Sequence, residues 1–140
     1  MKKKRLICIL AIVIVLILCT TLFIAYHHDV IFQRGNPVPY LWAALHIRKD
    51  NPFVKVNIEV PSGIVDIYIS KKNSKAEKAC PEIFNYVEKR FNVNFSEQFG
   101  SSYLFRNSEG KISISNEIYF RYFLVWTVPK ELDITGNKTE

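Results

Sequence analysis

The first strong pattern in the chain is a long stretch without polarity. Leu6 to Tyr26 carries no charge, and only Thr20 and Thr21 within it fall outside the apolar set. At about 1.5 Å per residue, a helix over 6–26 is roughly 30 Å long, which matches the hydrocarbon core of a bilayer. Ile, Leu and Val dominate the stretch, and no Gly or Pro interrupts it. The pattern predicts a transmembrane helix over 6–26 acting as a signal anchor. A cleaved signal peptide is the competing reading, but such peptides have an apolar region of ~7–15 residues that ends at a small-x-small site. Cleavage after Ala25 would put Phe23 where a small residue belongs, so the uncleaved anchor is expected.

Beyond residue 26 the periodicity changes element by element. Val30-Ile31-Phe32 reads as a short initial strand. Asn36 suits a helix N-cap and Pro37 the first helical position. Val38, Leu41, Trp42 and Leu45 then follow the i, i+3, i+4, i+7 spacing of one helix face. Val54, Val56, Ile58 and Val60 alternate with polar residues, Pro61-Ser62-Gly63 turns the chain, and Val65, Ile67 and Ile69 alternate again. Residues 54–69 therefore read as a β-hairpin. Ser74 and Glu77 have capping-box spacing, and Ala76, Cys80, Ile83, Phe84, Val87 and Phe91 line one face of a second helix. Pro81 either kinks this helix or starts a new segment. Glu88, Lys89 and Arg90 fall on the opposite, solvated side.

Residues 92–102 carry no clear period. Three strands follow, over 103–106, 111–115 and 118–128, with turns at Asn107–Gly110 and Ser115–Glu117. The last run is apolar on both faces apart from Arg121 and Thr127, which suits a strand in the middle of a sheet. The element order after the N-terminal helix is β-α-β-β-α-β-β-β. The expected fold is α+β, with two helices packed on a mainly antiparallel sheet, in the simplest arrangement on one face of it. The chain divides into a cytoplasmic basic tail (1–5), the membrane helix (6–26), an extracytoplasmic α+β domain (27–129) and a polar C-terminal tail (130–140).

Charge sharpens the topology. The chain has 140 residues, with Lys+Arg 19 against Asp+Glu 13 and a net charge of +6. Lys2, Lys3, Lys4 and Arg5 precede the apolar stretch, and no Lys or Arg follows it until Arg34. The positive-inside rule then puts the N-terminus in the cytoplasm and the domain outside it, anchored in the plasma membrane. Without those four, 15 basic residues face 13 acidic ones, an ordinary surface that gives no reason to expect a nucleic-acid partner. Lys outnumbers Arg by 13 to 6, and Ile and Asn are abundant. That composition fits an AT-rich genome and a bacterial cell envelope.

The catalytic inventory is thin. Cys8 and Cys19 lie in the apolar helix, which leaves Cys80 without a disulfide partner outside it. His27-His28-Asp29 has metal-ligand residue types but not the spacing to converge on an ion, and the five glycines are too scattered for a phosphate cradle. No metal, cofactor or catalytic residue is expected. Asp66 is the one carboxylate in an otherwise apolar strand, and alternation sends it to the polar face with Tyr68. Asn36, Pro37, Pro39, Tyr40 and Trp42 group a rigid Pro-rich start with aromatic rings and form the candidate partner-contact surface. The expected function is a single-pass membrane protein with an extracytoplasmic binding domain for a protein or envelope partner. The alternatives are a small envelope enzyme using Asp66 or Cys80, and a structural or accessory subunit whose strand 118–128 completes another chain's sheet or surface.

Overall fold

A computed structural model describes residues 2–61, 63–72 and 80–134. The chain forms two compact units, Met1–Pro37 and Val38–Glu140. The first holds helix α1 (Lys2–Tyr26) and the single-turn helix α2 (His28–Ile31). Within Lys3–Tyr26 an 18-residue stretch has a mean hydropathy of 3.3, so α1 is long and apolar enough to cross a membrane. Its two hydroxyl groups are satisfied inside the helix, with Thr20 Oγ1 donating to the Leu16 carbonyl (2.7 Å) and Thr21 Oγ1 to that of Ile17 (2.8 Å). Residues 30–32 are not the expected strand. Helical bonding resumes after Tyr26, with the N–H groups of Ile31 and Phe32 donating to the carbonyls of His27 and His28, both at 2.9 Å.

The second unit contains α3 (Val38–Leu45), β1 (Phe53–Lys55), β2 (Val65–Lys71), α4 (Pro81–Phe91), β3 (Asn94–Phe99), β4 (Ser102–Arg106), β5 (Lys111–Tyr119) and β6 (Phe123–Pro129). All six strands join one antiparallel sheet in the order β1-β2-β6-β5-β4-β3. The α+β class and the hairpin over 54–69 are present, with Val54 opposite Ile69 and Lys55 opposite Tyr68. The ladder ends at Lys55, however. The buried Val56 still donates its N–H to the Ile67 carbonyl of β2 (2.8 Å), but the Ile58 N–H turns back to the Val56 carbonyl (3.0 Å), so residues 57–60 leave the ladder. Pro81 occupies the first position of α4, and Cys80 precedes it in extended conformation. Asn92 closes the helix in the left-handed region (φ 51°), which Asn tolerates well. The Ser74–Glu77 capping box and Ala76 lie outside the described residues.

The helices do not share a face of the sheet. Along β2, Val65, Ile67 and Ile69 pack with Tyr40, Ala43 and Ile47 from α3 and the residues just after it. Tyr68 lies with Ile83, Phe84 and Val87 of α4 on the other face. Successive side chains of a strand point to opposite faces, so α3 and α4 cover opposite sides of the sheet. Phe84 anchors the α4 side, with ring centroids 4.9 Å from Tyr103, 5.4 Å from Phe105 and 5.6 Å from Phe95. Tyr40 anchors the α3 side, 5.3 Å from Tyr119.

The last hairpin also differs from expectation. β5 runs straight through Ser115–Glu117, and the chain turns at Phe120-Arg121-Tyr122 instead. Asn116 is a good turn former, yet it is buried and donates through Nδ2 to the Tyr103 hydroxyl (3.3 Å). Packing of Tyr119 and Phe120 on the α3 side outweighs local turn preference. The result places Phe120 (φ 52°) and Arg121 (φ 61°) in the left-handed region, a conformation that costs a side-chain-bearing residue about 1–2 kcal/mol. Residues 94–99, which had no readable period, form edge strand β3 with a bulge between Phe95 and Glu97. Arg121 is exposed, so Arg121→Gly is expected to stabilise the domain by up to about 1 kcal/mol, whereas the β-branched Arg121→Val destabilises it by about 1–2 kcal/mol. Urea unfolding of the detergent-solubilised chain checks both.

Candidate functional site

The five residues of the expected contact surface do not stay together. Asn36 and Trp42 are exposed, Pro37 and Pro39 are half-buried, and Tyr40 is buried against Tyr119. Tyr40 therefore belongs to the core and is withdrawn from the surface. The helix itself starts at Val38, one residue later than Pro37. The helix face read from the i, i+3, i+4, i+7 spacing points outward: Val38, Leu41, Trp42 and Leu45 are 65%, 41%, 65% and 78% exposed. Tyr40, Ala43, Ala44 and Ile47 have the same i, i+3, i+4, i+7 spacing two residues further on, and they take the sheet. Two residues turn a helix by about 200°, so the stripes lie back to back. Ala43 and Ala44 allow the close approach. On the outer stripe, the Trp42 ring lies 5.0 Å from that of His46 at a tilt of 51°, and His46 Nδ1 donates to the Trp42 carbonyl (2.7 Å).

Asp66 is not on a solvated face. It shares the α4 side of β2 with Tyr68, and both are 6% exposed. Its Oδ1 accepts from Lys55 Nζ at 2.8 Å and its Oδ2 from Arg90 Nη1 at 3.1 Å. Arg90 Nη1 also reaches the Tyr86 hydroxyl (2.6 Å), which pairs with the Tyr68 hydroxyl (2.7 Å). One carboxylate thus ties β1, β2 and α4 together through both of its oxygens. Burial pushes the Asp66 pKa up, but the hydrogen bonds and charges of Lys55 and Arg90 outweigh this and hold it below the usual carboxylate range. Burial and the bond to Tyr86 push the Tyr68 phenol well above its ordinary value. Both groups keep their neutral-pH charge states, and neither Asp66 oxygen is free to act as base or nucleophile. Arg90 and Glu88 were expected on the solvated side of the helix. Their headgroups turn back instead, Arg90 to Asp66 and Glu88 Oε1 to the Phe95 N–H (3.1 Å).

Beside this clamp the splayed half of the hairpin leaves an open groove of 590 Å³, lined among others by Lys55, Glu59, Asp66 and Lys130. A smaller hollow of 330 Å³ runs past Cys80, Lys71 and Glu82. The Cys80 thiol lies 3.4 Å from Glu82 Oε2, and burial pushes its pKa up, so the reactive thiolate is disfavoured. Among the described residues no group of three His, Cys, Asp or Glu side chains is placed to hold a metal ion. The partners of Asp66 escaped the sequence because Lys55 and Arg90 come from other elements. The one available signal was a carboxylate alternating in register with a buried Tyr.

Compared with protein-family models, curated proteins and solved structures, the chain matches none.

The clamp has a signed pH dependence. Because the folded pKa of Asp66 is lowered, its contribution is complete above the unfolded value of about 3.9 and is lost as pH falls through the folded value. Asp66→Asn is expected to destabilise the domain by about 1–3 kcal/mol at pH 7, modest for a buried pair because Lys55 and Arg90 can turn to water. The difference from wild type is expected to shrink below about pH 4. Urea titrations of both proteins between neutral and acid pH check this.

Proposed function

We propose that the chain is a single-pass plasma-membrane protein whose N-terminus is cytoplasmic and whose second unit is an extracytoplasmic interaction domain of a bacterial cell envelope. The observation that carries the reading is the pairing of α1 with the outer stripe of α3. The first is an unbroken apolar helix with Lys2 to Arg5 at its start and no Lys or Arg after it until Arg34. The second is an uncharged helix that covers the sheet with one face and still presents Val38, Leu41, Trp42 and Leu45 to the outside. A contiguous exposed apolar stripe of this kind is a hallmark of surfaces that meet a partner.

The contact surface is therefore this stripe together with Asn36, Pro37 and Pro39 beside it, without Tyr40. The subunit alternative loses its sheet-completing form, because β6 already pairs with β2 on one side and β5 on the other. The state of Asp66 and Cys80 gives the enzyme alternative no activated group to begin from.

A reporter fused after Glu140 tests the topology. An enzyme reporter that is active only outside the cytoplasm is expected to be active, and one that works only inside is expected to be silent. Replacing Lys2, Lys3, Lys4 and Arg5 with Gln is expected to lower the fraction with the domain outside. The opposite reporter pattern in the wild-type fusion contradicts the reading.

A further inference from the structure

We propose that the outer stripe of α3 docks on lipid: Val38, Leu41, Trp42 and Leu45 lie in the boundary between headgroups and acyl chains of the leaflet at which α1 ends. This rests on the anchored reading above and names the partner of its contact surface.

Four observations converge on lipid. The helix has no charged residue, and its outer face is as apolar as its inner one. Helices that lie in the membrane interface insert an apolar face in this way. The face carries Trp42, whose ring is apolar and whose indole N–H seeks a polar neighbour, the combination that favours headgroup level. Among the described residues of the second unit, the other large exposed apolar side chains, such as Phe99, Ile118 and Tyr122, are scattered over separate strands and turns. Lastly, residues 27–37 are all that separates α1 from α3, and even fully extended they span only about 40 Å. A tether this short keeps the stripe at high local concentration near the bilayer, so a modest apolar area suffices.

A second copy of the chain fits the stripe less well. Four side chains on a helix about 12 Å long expose a few hundred Å², below the ~800 Å² per partner of a stable protein interface.

The test uses the full chain in nanodiscs of phosphatidylcholine and phosphatidylglycerol, with and without bromine on the upper acyl carbons. The protein has two tryptophans. Trp126 is fully buried and donates to Ser70 Oγ (2.9 Å), so it supplies a constant background that the Trp42→Phe variant isolates. Brominated lipid is expected to remove most of the Trp42 emission, and aqueous iodide to remove none of it. In Leu45→Glu the pattern is expected to reverse, with unchanged disc incorporation and far-ultraviolet circular dichroism. Iodide quenching without bromine quenching in the wild-type chain overturns the docking while leaving the anchor intact. Protection from both quenchers also overturns it, and chemical crosslinking then identifies a second copy as the cover. A chain that fails to enter the discs overturns the anchored reading and the docking together.

Discussion

β2 and β6 lie side by side in the middle of the sheet, and neither has a face to give to water. Asp66 through Ser70 of β2 are all buried, and so are Leu124, Val125, Trp126 and Val128 of β6. An antiparallel sheet usually leaves one face solvated, whereas a strand pair apolar on both faces needs cover on both. The chain supplies it with α3 on one side and α4 on the other. Most of the second unit follows from this requirement, including the use of Tyr40 and Tyr119 below the sheet and of Phe84 and Trp126 above it.

The same requirement explains the polar features. A carboxylate on β2 meets little water, and Asp66 keeps its charge with Lys55 and Arg90 on its two oxygens. The indole of Trp126 and the amide of Asn116 are likewise satisfied inside, by Ser70 and Tyr103. These bonds cross between elements and fix which residues face α4. Residues 57–60 leave the sheet where the ladder ends, and the groove beside Lys55 and Asp66 lies along them.

Much of the fold was legible in the sequence, for identifiable reasons. The apolar helix, the 54–69 hairpin and the α4 segment after Pro81 rest on local signals, namely length, alternation and proline chemistry. The errors arose where a tertiary contact decided between locally equal choices. In α3 two stripes of identical spacing compete, and only the sheet tells Tyr40 and Ala43 from Leu41 and Trp42. At the last hairpin, Asn116 is consumed by Tyr103 and Phe120-Arg121-Tyr122 makes the turn instead. In β3, alternation of Phe95 with polar neighbours was blurred by the bulge before Glu97. The site failed in the same manner: proximity of Tyr40 and Trp42 in sequence implied a common surface, but on a helix neighbours two apart point in opposite directions.

A domain whose first helix is spent on the sheet by one face, and offered outward by the other, is the physical picture on which the functional proposal stands. Its central claim is that α3 and α4 cover opposite faces of one sheet. Nuclear Overhauser contacts between assigned aromatic rings in the full chain, solubilised in micelles, test it most directly. The account predicts contacts from Tyr40 to Tyr119 and from Phe84 to Trp126, with none from Tyr40 to Trp126. Contacts from Tyr40 to Trp126 or Phe84 would place both helices on one face and contradict it.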